Sequence, residues 1–155
     1  MKNIQILTGP VHSGKTTKLM QWASTQNNID GIFQPVIDGK RFIYHISSRM
    51  LKILETTETQ LEEELIIIGK YKFRKSVFAW VQNILLDCLD KKLDWLIIDE
   101  IGPLELEGKG LEPAVSKIFK QIDKQNGNVL CVVRDSILEE FINHYKLQSK
   151  IQLFE

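Results

Sequence analysis

With 155 residues, 43% hydrophobic and 26% charged, the chain has the composition of an ordinary globular domain and is long enough to bury one core, so a single domain over residues 1–155 is expected. Lysine plus arginine number 20 and aspartate plus glutamate 20, which leaves no global basic field to argue for nucleic acid. No apolar run approaches the roughly 20 residues of a membrane span, and a cleavable leader would remove the first motif. A cytoplasmic protein without membrane or nucleic-acid partners is the expectation.

Residues 3–7, "NIQIL", lead in as a strand, and Lys18, Leu19, Met20, Trp22 and Ala23 mark a helix with one apolar face. Between them, Gly9, Pro10, Val11, His12, Ser13, Gly14, Lys15, Thr16 and Thr17 fit G-x-x-x-x-G-K-[ST], the phosphate-binding P-loop. The motif needs a strand before it and a helix after it, and both are present. Its glycines let the backbone turn its N–H groups toward phosphate oxygens, at the positive end of the helix dipole. In that pattern Lys15 reaches the β- and γ-phosphates and the Thr16 hydroxyl ligates Mg²⁺. The competing reading, a glycine-rich turn with an accidental Gly-Lys-Thr, fits this setting poorly. His12 holds a variable loop position, within reach of a phosphate, with its side chain expected in solvent.

Farther on, Asp38-Gly39 separates two β-prone runs in "GIFQPVIDGKRFIYHI", the strongest short hairpin signal. The charged run at 56–64 reads as a solvated loop, and residues 65–73, "LIIIGKYKF", as a further strand. Val77, Val81, Ile84, Leu85 and Cys88 recur at helical spacing, "DWLIID" is a buried strand, and Val115, Ile118, Phe119 and Ile122 mark a helix with Pro113 near its start. "NVLCVV" is another strand; Ser136 and Glu139 spell a capping box ahead of Ile137, Leu138, Phe141 and Ile142, and a short strand lies near "KIQLF". This alternation predicts an α/β fold, a three-layer sandwich of the P-loop NTPase type with a mostly parallel sheet and helices on both faces. A β-hairpin-rich insertion separates the P-loop helix from the second motif. Cys88 and Cys131 fall in apolar patterns without a CxxC and read as core residues. Trp22, Trp80 and Trp95 read as packing residues, and His45 and His144 have no neighbours at metal spacing.

The second motif is "WLIIDEIGPLEL", residues 95–106. A hydrophobic strand ending in an aspartate is what a P-loop enzyme needs beside its first strand, so Asp99 is expected to hold Mg²⁺, through water, opposite Thr16. Glu100 follows at once, where a carboxylate can orient a water or take its proton for in-line attack on the γ-phosphorus. Alone, Glu100 would read as a surface carboxylate in a turn; the P-loop partner favours the catalytic reading. Glu105 is open between a supporting contact and a plain turn residue. Arg134 stands just past "NVLCVV", at the carboxyl edge where parallel sheets bind ligands. A cation there can stabilise γ-phosphate charge, and a salt bridge to a nearby carboxylate explains it almost as well.

Taken together, "TGPVHSGKTT", "IGKY" at 68–71 and above all "IIDEIGPLEL" at 97–106 resemble the small nucleoside-triphosphatases first known from thermophiles, a family related to human cancer-related nucleoside-triphosphatase. The resemblance continues weakly through "VLCVVRDS" to "IQLFE", nearly the whole chain. It implies hydrolysis of ATP, GTP and other nucleoside triphosphates with Mg²⁺, Gly14, Lys15, Thr16 and Thr17 on phosphate and metal, and Asp99 with Glu100 as the metal and water-activating pair. The chain departs from the pattern at Arg74, where the family commonly has an acidic residue, and only loosely resembles it over residues 32–64. Both departures are expected to flank the nucleotide cleft.

Two other classes compete with the hydrolase. A small-molecule or nucleotide kinase is one, because "GPVHSGKTT" is similar to the P-loop of the zinc-containing thymidine kinases, which also carry an Asp-Glu. Their zinc lobe needs more cysteines than the two here. A slow nucleotide-binding switch is the other. No Asn-Lys-x-Asp or other base-reading motif is present, so a permissive site is expected. Slow turnover is expected as well, since no arginine finger is evident.

Overall fold

The computed structural model describes residues 3–10, 13–57, 62–124 and 127–154. Its strands are β1 (Ile4–Gly9), β2 (Ile29–Phe33), β3 (Val36–Ile37), β4 (Lys40–His45), β5 (Leu51–Ile53), β6 (Leu65–Ile68), β7 (Tyr71–Arg74), β8 (Trp95–Ile98), β9 (Asn128–Arg134) and β10 (Ile151–Leu153). The helices are α1 (Lys15–Ala23), α2 (Lys75–Cys88), the single turn α3 (Pro103–Leu106), α4 (Ala114–Gln121) and α5 (Leu138–Tyr145). Eight strands form one sheet in the order β10-β1-β9-β8-β2-β4-β3, with β5 paired to β4. From β10 to β2 the pairs are parallel; β2–β4, β3–β4 and β4–β5 are antiparallel.

Strand β8 and the inner residues of β9 are apolar throughout because both of their faces are covered. Along β9, Val129, Cys131 and Val133 face one core while Leu130 and Val132 face the other. Helix α1 lies on the second side, where Leu19 and Ala23 meet Leu7, Phe33 and Ile97. On the first side α2, α4 and α5 contribute Val81, Leu85, Ile118, Phe119 and Phe141 to the larger core. Trp22 and Trp95 pack edge to face with centroids 5.0 Å apart, each also against Phe154, as packing residues should. Both cysteines are buried and unpaired. No helix among the described residues is long and apolar enough to cross a membrane.

Four sequence expectations need correction. The Asp99 strand, β8, does not lie beside β1: β9 separates them, taking the middle of the sheet with five consecutive buried residues. Residues 65–73 are not one strand but the hairpin β6–β7, because Gly69, at φ 55, turns the chain. The Ser136/Glu139 capping box does not form. Residues Asp135–Ile137 make a 3-10 turn, which leaves Ser136 inside the turn and Ile137 as an N-cap without a side-chain bond. Arg74 does not line the cleft described below; it ends β7 and donates its backbone N–H to Leu54 O at 2.9 Å.

Asp38 and Gly39, at φ 52 and 77, do form the two-residue turn between β3 and β4. The base of this insertion is tied to the sheet through Asp30, which is 1% exposed. Lys91 Nζ donates to Asp30 at 2.6 Å, and His45 Nε2 and the Gly31 N–H lie 3.1 and 2.8 Å away. Burial pushes the Asp30 carboxyl up, but the Lys91 bond, the Gly31 N–H and the nearby positive charges outweigh it and hold the carboxyl below its ordinary value.

Gly31 is where β2 and β8 approach most tightly. Its φ is 129, and a Cβ there would run into the Ile97 carbonyl oxygen across the pair. Gly31→Ala should therefore lower stability by roughly 2 to 4 kcal/mol, from the sum of overpacking and backbone strain. Urea denaturation checks this, and a loss below about 0.5 kcal/mol, the scale of a neutral surface change, would contradict it.

Candidate active site

The P-loop leaves β1 at Gly9 and enters α1 at Lys15. Gly14 makes the entry, at φ 79 and ψ 22, a left-handed conformation that glycine adopts without strain. The first turn of α1 carries neither an acidic residue nor a side-chain cap, so its N–H groups face the space beside the loop. Lys15 is 8% exposed and lies back across the loop, with Nζ 2.6 Å from Pro10 O and 3.3 Å from both Gly9 O and Ser13 Oγ. Val11 and His12 lie outside the described residues.

From the other side comes the end of β8. The Thr16 hydroxyl donates to Asp99 Oδ2 at 2.8 Å, and the Gln34 backbone N–H donates to the same oxygen at 2.8 Å. The second carboxylate oxygen, Oδ1, is buried and has no partner among the described residues. Burial pushes the Asp99 carboxyl up to about 6; the Gln34 N–H opposes this, the Glu100 charge adds to it, and the Thr16 hydroxyl and the Arg41 charge pull it down. A carboxylate oxygen without a protein donor, next to a threonine hydroxyl, is a hard oxygen set that fits Mg²⁺. Among the described residues no group of three or more His, Cys, Asp or Glu could cage a metal. Mg²⁺ suits such a sparse site, since it keeps waters and takes its other ligands from phosphates.

Glu100 is a non-glycine residue at φ 56, a left-handed conformation that costs about 1 kcal/mol or more. The surroundings enforce it: Gln34 Nε2 donates to the carbonyls of Asp99 and Glu100 at 2.8 and 3.4 Å, and the Ile101 N–H donates to Val132 O at 3.0 Å. Arg134 stands level with Gly9 in the β1–β9 register, and its Nε lies 4.0 Å from Glu100 Oε2. Both sequence readings of Arg134 are thus compatible with one position, a cation in the cleft that is also paired with a carboxylate.

A cleft of about 230 Å³ lies between the P-loop and the β3–β4 hairpin; Asp99, fully buried, is not among its lining residues. Ser13, Gly14, Lys15, Thr16, Thr17, Glu100 and Arg134 line it, whereas Gly9 and Pro10 do not and instead give their carbonyls to Lys15 Nζ. Sequence reasoning missed Gln34 and Arg41, which also line the cleft. A polar residue closing the apolar run "GIF", and an arginine two positions past an Asp-Gly turn, were the available signals. A larger hollow of about 460 Å³ between β6, α2 and Gly110 contains none of the expected residues.

Three comparisons with known proteins bear on the site. The family model described as NTPase matches residues 4–155. Among solved structures, THEP1 from the hyperthermophile Aquifex aeolicus superposes with a TM-score of 0.76 at 21% identity, covering 98% of this chain and 88% of that one. That likeness shows the fold. No curated protein matches the chain significantly.

Behind the cleft, Glu105 proves to be a supporting contact. It is 3% exposed and accepts from the Gly102 N–H at 2.7 Å and the Leu111 N–H at 3.0 Å, closing the loop that follows Glu100. Gly110, at φ 64, leaves it room, since a Cβ there would overlap Oε2. Burial pushes this carboxyl up to about 7 against the pull of its N–H donors. Because the folded value exceeds the unfolded one, the stabilisation is complete below about pH 4.5 and is lost as pH rises through 7. The stability advantage of wild type over Glu105→Gln should accordingly shrink between pH 5 and 8, by on the order of 2 to 3 kcal/mol. Denaturant titrations at the two pH values measure it; a constant or growing difference would contradict the account.

Proposed function

The chain belongs to the NTPase family, and from that membership and the cleft's chemistry we propose that it hydrolyses nucleoside 5′-triphosphates to diphosphate and phosphate, with Mg²⁺ as cofactor and water as acceptor. The observation that carries this reading is the Thr16–Asp99 bond, which joins the P-loop to a strand-end carboxylate 83 residues away and sets Glu100 beside it.

In the proposed mechanism the loop N–H groups at the start of α1 hold the phosphates, and Lys15 neutralises the β- and γ-phosphate oxygens. Thr16 and Asp99 are the residues that would hold Mg²⁺, which when bound draws charge from those oxygens. Glu100 orients the attacking water and takes its proton as the new bond to the γ-phosphorus forms. The bond from that phosphorus to the β,γ-bridging oxygen breaks, and the nucleoside diphosphate leaves with the electron pair. Arg134 holds the Glu100 carboxylate toward the cleft. Its side chain is 34% exposed against 17% for Glu100, so the pair orients rather than contributes much to stability.

Base indifference is read from the described residues of the cleft. The Gln34 Nε2 donor is committed to the Asp99 and Glu100 carbonyls. Met20, Pro35 and Val36 offer only apolar side chains. With Arg41 and the loop hydroxyls read as phosphate contacts, no described side chain is left dedicated to a base edge; such a site discriminates weakly, so ATP, GTP, CTP and UTP should all be substrates.

Glu100→Gln separates chemistry from binding. The variant should bind MgATP as wild type does, because Lys15, Thr16 and Asp99 are untouched, while turnover falls by roughly 10²-fold or more. Single-turnover phosphate release alongside calorimetric binding measures both quantities. Wild-type turnover in the variant would remove Glu100 from the mechanism.

A further inference from the structure

Among the described residues three basic side chains reach the cleft: Lys15, Arg41 and Arg134. Two of them are engaged within the protein, Lys15 with Pro10 O, Gly9 O and Ser13 Oγ, and Arg134 with Glu100. The Arg41 guanidinium makes no hydrogen bond or ion pair among the described residues.

The backbone beneath it is firmly held. Arg41 stands opposite Val36 across the Asp38-Gly39 turn. Its N–H donates to Glu55 Oε1 at 3.3 Å, and its carbonyl accepts from the N–H groups of Leu54 and Glu55 at 3.0 and 3.1 Å. The hairpin thus presents one partly buried, permanently charged guanidinium to the cleft from the side opposite the P-loop. The guanidinium charge acts on buried Asp99, and a planar fork of donors with no acceptor among the described residues matches a phosphate, which it can bind through two parallel charge-assisted bonds.

We infer that Arg41 reads the terminal phosphate of a bound nucleoside triphosphate and so makes the cleft prefer triphosphate over diphosphate. This rests on the reading of the cleft as a polyphosphate site, and it names the group that distinguishes substrate from product there. The loop amides address phosphates common to both nucleotides, and Lys15 bridges the β-phosphate, present in both, and the terminal one. Arg41, held across the cleft on a separate element, addresses the one that differs. Loss of that phosphate on hydrolysis removes the Arg41 contact and favours release of the diphosphate.

Calorimetry with MgADP and with the magnesium complex of β,γ-imido-ATP tests this on wild type, Arg41→Ala, Arg41→Lys and Lys15→Ala. Arg41→Ala should bind the triphosphate analogue about tenfold to a hundredfold more weakly, the scale of a lost charge-assisted pair, and MgADP within about twofold of wild type. Arg41→Lys should fall between, because an ammonium keeps the charge but not the fork; it also decides the matter if Arg41→Ala melts below the assay temperature. Equal losses for both nucleotides, or an unchanged triphosphate affinity, would overturn the assignment. Lys15→Ala separates this from the reading beneath it. If Lys15→Ala weakens both nucleotides while the Arg41 variants weaken neither, Arg41 alone is reassigned; if Lys15→Ala weakens neither, the polyphosphate site itself is overturned, and Arg41 with it.

Discussion

A fully buried carboxylate, Asp99, is the constraint on which the rest of the site depends. Burying such a group is unfavourable unless donors surround it, and here the donors come from two distant parts of the chain. Thr16 supplies a hydroxyl from the first turn of α1, and Gln34 supplies an N–H from the end of β2. One side chain therefore fixes the P-loop helix, the end of β8 and the end of β2 relative to one another. Its other oxygen is left facing away from any protein donor among the described residues. The proposed metal role of Asp99 rests on that contrast between its two oxygens.

The elements around Asp99 keep that geometry. Gly31 lets β2 run close enough to β8 for Gln34 to reach the Asp99 carbonyl as well as its carboxylate. The same Gln34 amide and the Ile101–Val132 bond hold Glu100 in its left-handed conformation. On the far side, Glu105 gathers the N–H groups of Gly102 and Leu111, so the loop after Glu100 is closed by a buried acceptor rather than left to solvent. The β3–β4 hairpin, tied at its base through His45 and Asp30, forms the opposite wall.

The local features of this design were legible in the sequence. The P-loop and the Asp99-Glu100 pair carry fixed spacings, the Asp38-Gly39 turn has its own chemistry, and the buried strands announce themselves as apolar runs. What stayed hidden is non-local. Sheet order is set by competition among apolar strands, and nothing in "NVLCVV" says that it separates β1 from β8. Gln34 and Arg41 carry no motif, and their importance arises from what the fold brings opposite them, Asp99 in one case and the P-loop in the other. Asp30 carries no sequence signal of its own; Lys91 and His45 meet it only in the fold. Glu105 could not be weighed from spacing alone, because its second donor, Leu111, lies six residues on, beyond a glycine-rich turn.

The central claim is that this cleft delivers phosphoryl groups to water and takes little account of the base. Phosphate release from ATP, GTP, CTP and UTP, each with Mg²⁺ and no other acceptor, tests it most directly. The account predicts turnover of all four, with kcat/KM spread over roughly tenfold to a hundredfold, the range of weak contacts without dedicated readout. A preference for one base beyond about a thousandfold, the mark of a hydrogen-bonding base pocket, or phosphate transfer only on addition of a second acceptor, would contradict it.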